Sequence, residues 1–185
     1  MRESATVSDR LQLTRDDIRR LFELLNEELG REGVRGELYV VGGAVMCLVF
    51  EARPSTRDVD ALFRPTSELR EAAARVALQA DVPSDWLNDG VKAFLSPKGE
   101  FDPYLELPHL AVFTARPEYL LAMKCAAMRI GAGFRDEADV RFLLRALNIE
   151  RYEDAVEVVL RYFDEKRIPQ KTWYALEELL EPESD

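Results

Sequence analysis

Apolar and polar positions sort this chain into helical and extended segments. Ile18, Leu21, Phe22, Leu25 and Leu29 recur at helical spacing and give one apolar face. Thr14 is a good N-cap for that helix, Asp16 and Asp17 sit in its first turn, and Gly30 or Gly33 ends it. Residues 38–41 form a short apolar run that reads as a buried strand. Gly42 and Gly43 follow, then an apolar helical stretch over residues 44–50. After a polar loop, Asp58-Val59-Asp60 enters a second apolar run. Read as a strand, that run puts Asp58 and Asp60 on one face, with Val59 and Leu62 serving the interior.

The remaining segments follow the same logic. A helix over residues 67–79, capped by Thr66 or Ser67, carries Leu69, Ala73, Val76, Ala77 and Ala80 as its stripe. Residues 85–95 read as a capped short helix with Trp86 and Leu87 packed. Two short strands are predicted at 104–107 and 110–113. Residues 116–130 read as a long helix, with Pro117 in its first turn and Gly131 and Gly133 closing it. Further helices begin at Arg135-Asp136, span residues 152–162, and open at Pro169.

Composition narrows the class. With 185 residues, of which 47% are hydrophobic, the chain can bury a real core as one domain, or a domain plus a small helical lobe. A net charge of −10 makes it a poor candidate for wrapping nucleic acid through bulk electrostatics, so any RNA contact needs a local basic patch. Part of that charge is a solvated acidic end, Glu177-Glu178 and residues 181–185; an acidic body also suits a basic protein partner. Cys47 and Cys125 lie in apolar segments and read as buried free thiols. The first five residues lack the apolar core of a signal peptide, and the longest apolar run is too short to span a bilayer. A cytoplasmic protein is the expectation. A single histidine, His109, argues against a Ser/His/Asp triad or a His-rich metal site and reads as structural.

The candidate chemistry lies elsewhere. Two carboxylates on one strand face repel each other, an arrangement tolerated where a divalent cation sits between them. Glycines between strand and helix let backbone approach a phosphate, and the helix start presents free N–H groups. Lys124 stands in the middle of an apolar helix, so its ammonium either snorkels to solvent or reaches a cleft and a phosphate. Asp136 and Asp139, three apart, share one face of the next helix; an acidic first turn is the plainer reading.

Strand, Gly42-Gly43, helix and then Asp58-x-Asp60 resembles the signature of the nucleotidyltransferase superfamily that shares the DNA polymerase β fold. Arg57-Asp58-Val59-Asp60-Ala61-Leu62 looks closest to the bacterial AbiEii-type and MenT-type toxin nucleotidyltransferases. Lys124 followed by Arg135-Asp136-x-x-Asp139 resembles the second half of the AbiEii-type pattern, and Trp86-Leu87-Asn88-Asp89 looks like a stretch of that subgroup that brings polar groups to the cleft rim. The likeness covers about residues 38–145. Gly-Gly stands where the commonest form has Gly-Ser, which removes a hydroxyl but keeps the backbone donors.

The resemblance implies an α+β fold, polymerase-β-like, with a small mixed sheet flanked by helices. Residues 1–114 would form the core, and residues 115–185 a helical lobe completing the cleft. It implies transfer of a nucleotidyl group from an NTP to a hydroxyl of tRNA, a protein or a small molecule such as an aminoglycoside. Asp58 and Asp60 would hold Mg²⁺ or Mn²⁺, and Gly42, Gly43, Arg57 and Lys124 would meet the NTP. Asp136 or Asp139 would orient Lys124 or touch the metal. A third carboxylate is often present in the superfamily; Asp89, Asp102 and Glu106 are the candidates, and none sits in a selecting motif. The biological context implied is the toxin of a toxin–antitoxin pair, with a cognate antitoxin protein. The competing reading is a non-catalytic nucleotide- or partner-binding module on the same fold.

Overall fold

The computed structural model describes residues 12–130 and 135–181. It is an α+β protein with seven α-helices and a mixed five-stranded sheet among the described residues. The elements run β1 (Leu13–Thr14), α1 (Arg15–Arg31), β2 (Gly36–Val41), α2 (Gly43–Leu48), β3 (Ser55–Thr56), β4 (Val59–Arg64), α3 (Thr66–Ala80) and β5 (Leu87–Asn88). They continue through a 3₁₀ turn (Gly90–Phe94), β6 (Phe101–Leu107), β7 (Leu110–Ala115), α4 (Pro117–Ala126), α5 (Asp136–Ala146), α6 (Tyr152–Tyr162) and α7 (Gln170–Leu180).

Sheet order is β5-β4-β2-β7-β6, with β2 antiparallel to β4 and parallel to β7. β1 and β3 form a separate two-residue pair. Thr14 caps α1 through a reciprocal box: its hydroxyl accepts from the Asp17 backbone N–H, and Asp17 accepts from the Thr14 backbone. The apolar face of that helix packs with α3 over one side of the sheet. Gly36, facing that side, has the Leu29 and Leu69 side chains directly above it. Leu38 and Val40 of β2 follow on the same side, and Val59, Ala61 and Phe63 of β4 are buried with them. The opposite face carries Tyr39 and Val41 beside Leu62 and Asp60. Helix α4 packs against α5 and α6, and α6 against α7.

Several expectations change. Leu62 does not join Val59 in the interior: strand alternation puts it on the Asp60 face, where it is half-buried. Residues 85–95 are not one capped helix: Trp86 and Leu87 are packed as expected, but 87–88 are extended and only Gly90–Phe94 forms a 3₁₀ turn. Trp86 is fully buried and donates its Nε1–H to the Ala73 carbonyl at 3.0 Å, which holds the following Leu87–Asn88 extended beside β4. Helix α3 starts at Thr66, with Pro65 in the cap position. Helix α4 ends at Ala126, short of residue 130, and Gly131 and Gly133 lie outside the described residues, as does the chain beyond Glu181. Both strands expected at 104–107 and 110–113 are longer: β6 begins at Phe101 and β7 extends to Ala115, and β7 is interior to the sheet. Cys47 and Cys125 are buried and free. The His109 ring packs against Gly30, and its backbone N–H donates to Asn26. No helix among the described residues is long and apolar enough to cross a membrane.

Candidate functional site

Strand β4 begins where β2 ends, so Asp60 stands opposite Val41 and next to the Gly42-Gly43 turn. Gly42 has φ 69° and ψ −146°, a conformation that favours glycine. A Cβ at Gly42 would lie 3.4 Å from Asp60 Oδ2, so backbone and carboxylate are close neighbours. Asp58 precedes the strand. Asn88 of β5, paired with Asp60 in register, donates to Asp58 Oδ2 at 3.3 Å. Asn88 thus lies at both carboxylates, on a strand held by Trp86.

Both carboxyls are held above the ordinary range. Burial, then the charges of Asp60 and Asp85, push Asp58 up to about 6, against the Asn88 hydrogen bond and the Arg57 charge. Burial also raises Asp60, against the Asn88 amide and the Lys124 ammonium. Two half-buried acids that resist ionisation form a donor set that a divalent cation fits, since it would supply the missing positive charge. No group of three or more His, Cys, Asp or Glu suited to a metal occurs among the described residues. A cation held by Asp58 and Asp60 would thus take its other oxygens from water and phosphate, as Mg²⁺ commonly does.

Lys124 does not simply snorkel. Its Nζ lies 2.7 Å from Asp139 Oδ2, with the two side chains only 11% and 5% exposed. Arg53 grips the same carboxylate as a fork, Nε donating to Oδ1 at 2.8 Å and Nη2 to Oδ2. Arg53 in turn lies against Gly43, where a Cβ would sit 3.0 Å from its Nη1 and 3.1 Å from Thr56 Oγ1. Two cations on one buried aspartate thus stand beside the glycine turn, and the Lys124 charge reaches Asp60.

The other candidates separate. Asp136 is also buried but serves Arg129, accepting from its backbone N–H at 3.0 Å and its Nε at 2.9 Å. Burial alone would raise its pKa; the Arg129 hydrogen bonds and the Lys124 charge outweigh that and hold it below the usual carboxylate value. Arg57 is exposed and acts on Asp58 through charge. Asp89 pairs with Arg70 and Lys92, Asp102 with Arg116, and Glu106 with Arg35. The further carboxylate felt at Asp58 is Asp85, exposed on the approach to β5. Helix α2 has only six residues, so its dipole is short and the backbone N–H groups carry more of any anion contact.

Sequence reasoning did not single out Arg53, Asp85 or the contact from Asn88 to Asp58. The polar loop placed Arg53 near the motif, but its partner is in α5, far along the chain. Asp58 also sets a stability test. Its raised pKa makes the folded chain bind more protons than the unfolded one between about pH 4 and 6, so its ionisation costs stability as pH rises through that window. Asp58→Asn is expected to raise the melting temperature at pH 7 and above. The gain should shrink toward zero as pH falls from 6 to below 4. Parallel melts across that range check it; a constant or inverted difference is the contrary result.

Set against protein-family models, curated proteins and solved structures, the chain finds no significant match.

Proposed function

We propose that this protein is a metal-dependent nucleotidyltransferase on a polymerase-β-like fold. The observation that carries the reading is the convergence of Asp60 with Gly42, Asn88 and Lys124, each from a different segment, on the sheet face turned away from α1 and α3. Asp58 and Asp60 would hold Mg²⁺, and the backbone at Gly42-Gly43 would face the phosphates. When bound, the cation neutralises phosphate charge and polarises the phosphorus–oxygen bonds. The acceptor hydroxyl oxygen bonds to the α-phosphorus, pyrophosphate leaves with the electrons of the broken bond, and the hydroxyl proton is released. Lys124 stabilises negative charge that grows on the phosphate oxygens, and Asp139 with Arg53 holds Lys124 in place. Asp136 has the separate task of tying the start of α5 to Arg129.

Calorimetric titration with each NTP is expected to give binding that depends on Mg²⁺ or Mn²⁺. Equal affinity with and without the cation is the result that counts against the site. Incubation with each labelled NTP and total tRNA tests transfer and one acceptor class together. Lys124→Met keeps the apolar stem and leaves Asp139 gripped by Arg53, so the melting temperature should hold. Transfer should fall by roughly 10²-fold or more, the scale of losing one charge-stabilising donor. A stable, fully active Lys124→Met protein would remove Lys124 from the mechanism.

A further inference from the structure

A cavity of about 520 Å³ opens on the same sheet face as Asp60. Its walls include Tyr39, Leu62, Phe101 and Tyr119, with Arg64 at the edge. One wall leads straight to the carboxylates: on β4, Leu62 and Asp60 are two residues apart on one face, roughly 7 Å. The cavity therefore lies beside the charged centre along that strand.

The walls are aromatic and fixed. Tyr39 stacks on Phe113 with centroids 5.0 Å apart, and Phe101 meets Tyr39 and Tyr119 edge to face at 5.3 and 5.6 Å. The Tyr119 hydroxyl accepts from the Ser96 backbone N–H at 2.9 Å, which ties the loop before β6 to α4. Gly99 lets that loop touch the ring: a Cβ there would be 2.5 Å from Tyr119 Cε1. The Arg64 guanidinium sits 6.0 Å from the Tyr39 ring centroid. Among the described residues no aspartate or glutamate lines the cavity; Glu37 stands behind it, accepting from the Tyr39 hydroxyl at 2.9 Å. Such a lining disfavours a polycationic guest and suits a flat, uncharged heteroaromatic ring that stacks on aromatic side chains and accepts from a guanidinium.

We propose that this cavity seats a nucleobase, attached to the ribose and phosphates held at Asp58 and Asp60 or to the acceptor nucleotide. The assignment rests on the nucleotidyltransferase reading above for what lies next to it, and the test separates the two. The full chain is titrated with the four ribonucleosides, with the four Mg²⁺-NTPs, and with Mg²⁺-tripolyphosphate, which has no base. At least one nucleoside should bind, and Leu62→Trp, which fills the cavity, should weaken it tenfold or more without changing tripolyphosphate affinity. Arg64→Ala, at an exposed position safe for folding, should weaken the nucleoside roughly two- to fivefold. Displacement of the nucleoside by NTP, with NTP bound roughly five- to hundredfold tighter than tripolyphosphate, assigns the base to the NTP. Nucleoside and NTP bound together assign it to the acceptor. No nucleoside binding, or affinity untouched by both variants, overturns the proposal, even where tripolyphosphate binds. Nucleoside binding without tripolyphosphate binding leaves the cavity standing and counts instead against the phosphate site.

Discussion

Asp139→Ala is expected to destabilise the protein by about 3–5 kcal/mol, the cost of stripping the partner from buried charges. Arg53 and Lys124 both point at this carboxylate, and their side chains are only 15% and 11% exposed. Removing it leaves two cations facing each other with little water to screen them. Lys124→Met, by contrast, leaves a paired Arg53 and Asp139. The asymmetry is the informative part: the aspartate should matter far more to stability than either cation alone. In the Asp139→Ala background, Lys124→Met should recover part of the loss, since it removes one of the two stranded charges. Urea melts of the three variants check this. A loss under about 1 kcal/mol for Asp139→Ala, against the range above for a broken buried pair, would mean the cluster is solvated.

On the proposed function, Asp60→Ala is expected to abolish nucleotidyl transfer, by about 10³-fold or more, while leaving the melting temperature unchanged or higher. Losing a metal-holding carboxylate forfeits several kcal/mol of charge stabilisation in the transition state, and each 1.36 kcal/mol is about tenfold in rate. The stability side follows from the structure. Burial raises the Asp60 pKa, so its ionised form is costly in the folded chain. It also adds to the repulsion on Asp58, whose pKa should fall once it is gone. Full transfer by this variant, on an acceptor the parent protein modifies, would end the catalytic assignment.

What could be read from the chain alone was what lies close along it. The Thr14 cap needs only Asp17 three residues on, and the span of α6 needs only its own periodicity. The two aspartates and two glycines were legible for the same reason, as neighbours in one strand–turn–helix–strand passage. Leu62 is hydrophobic enough to suggest the interior, yet the two-residue period of β4 puts it with Asp60. The extended Leu87–Asn88 within residues 85–95 is not legible locally because its constraint is tertiary: Trp86 reaches the Ala73 carbonyl, and β5 is only two residues long. The choice between Asp136 and Asp139 could not be made from spacing. It depends on Arg53, whose loop is brought to α5 only by the folded sheet and helices.

The parallel pairing of β2 with β7 bears on the order in which this molecule is built. Gly36 lies beside Leu110, and Val40 beside Thr114, so the centre of the sheet closes over a long intervening stretch of chain. Non-local closure of this kind slows folding, because the entropy of the loop is lost before the contacts form. During synthesis β2 and β4 can pair early, since both emerge before α3. Until β7 has left the ribosome, one edge of β2 has no neighbour and the aromatic side of Tyr39 has no Phe113 to stack on. Lys124 and Asp139 arrive later still. A nascent chain therefore carries Asp58 and Asp60 well before it carries Lys124 and Asp139, and the cluster is complete only in the last third of translation.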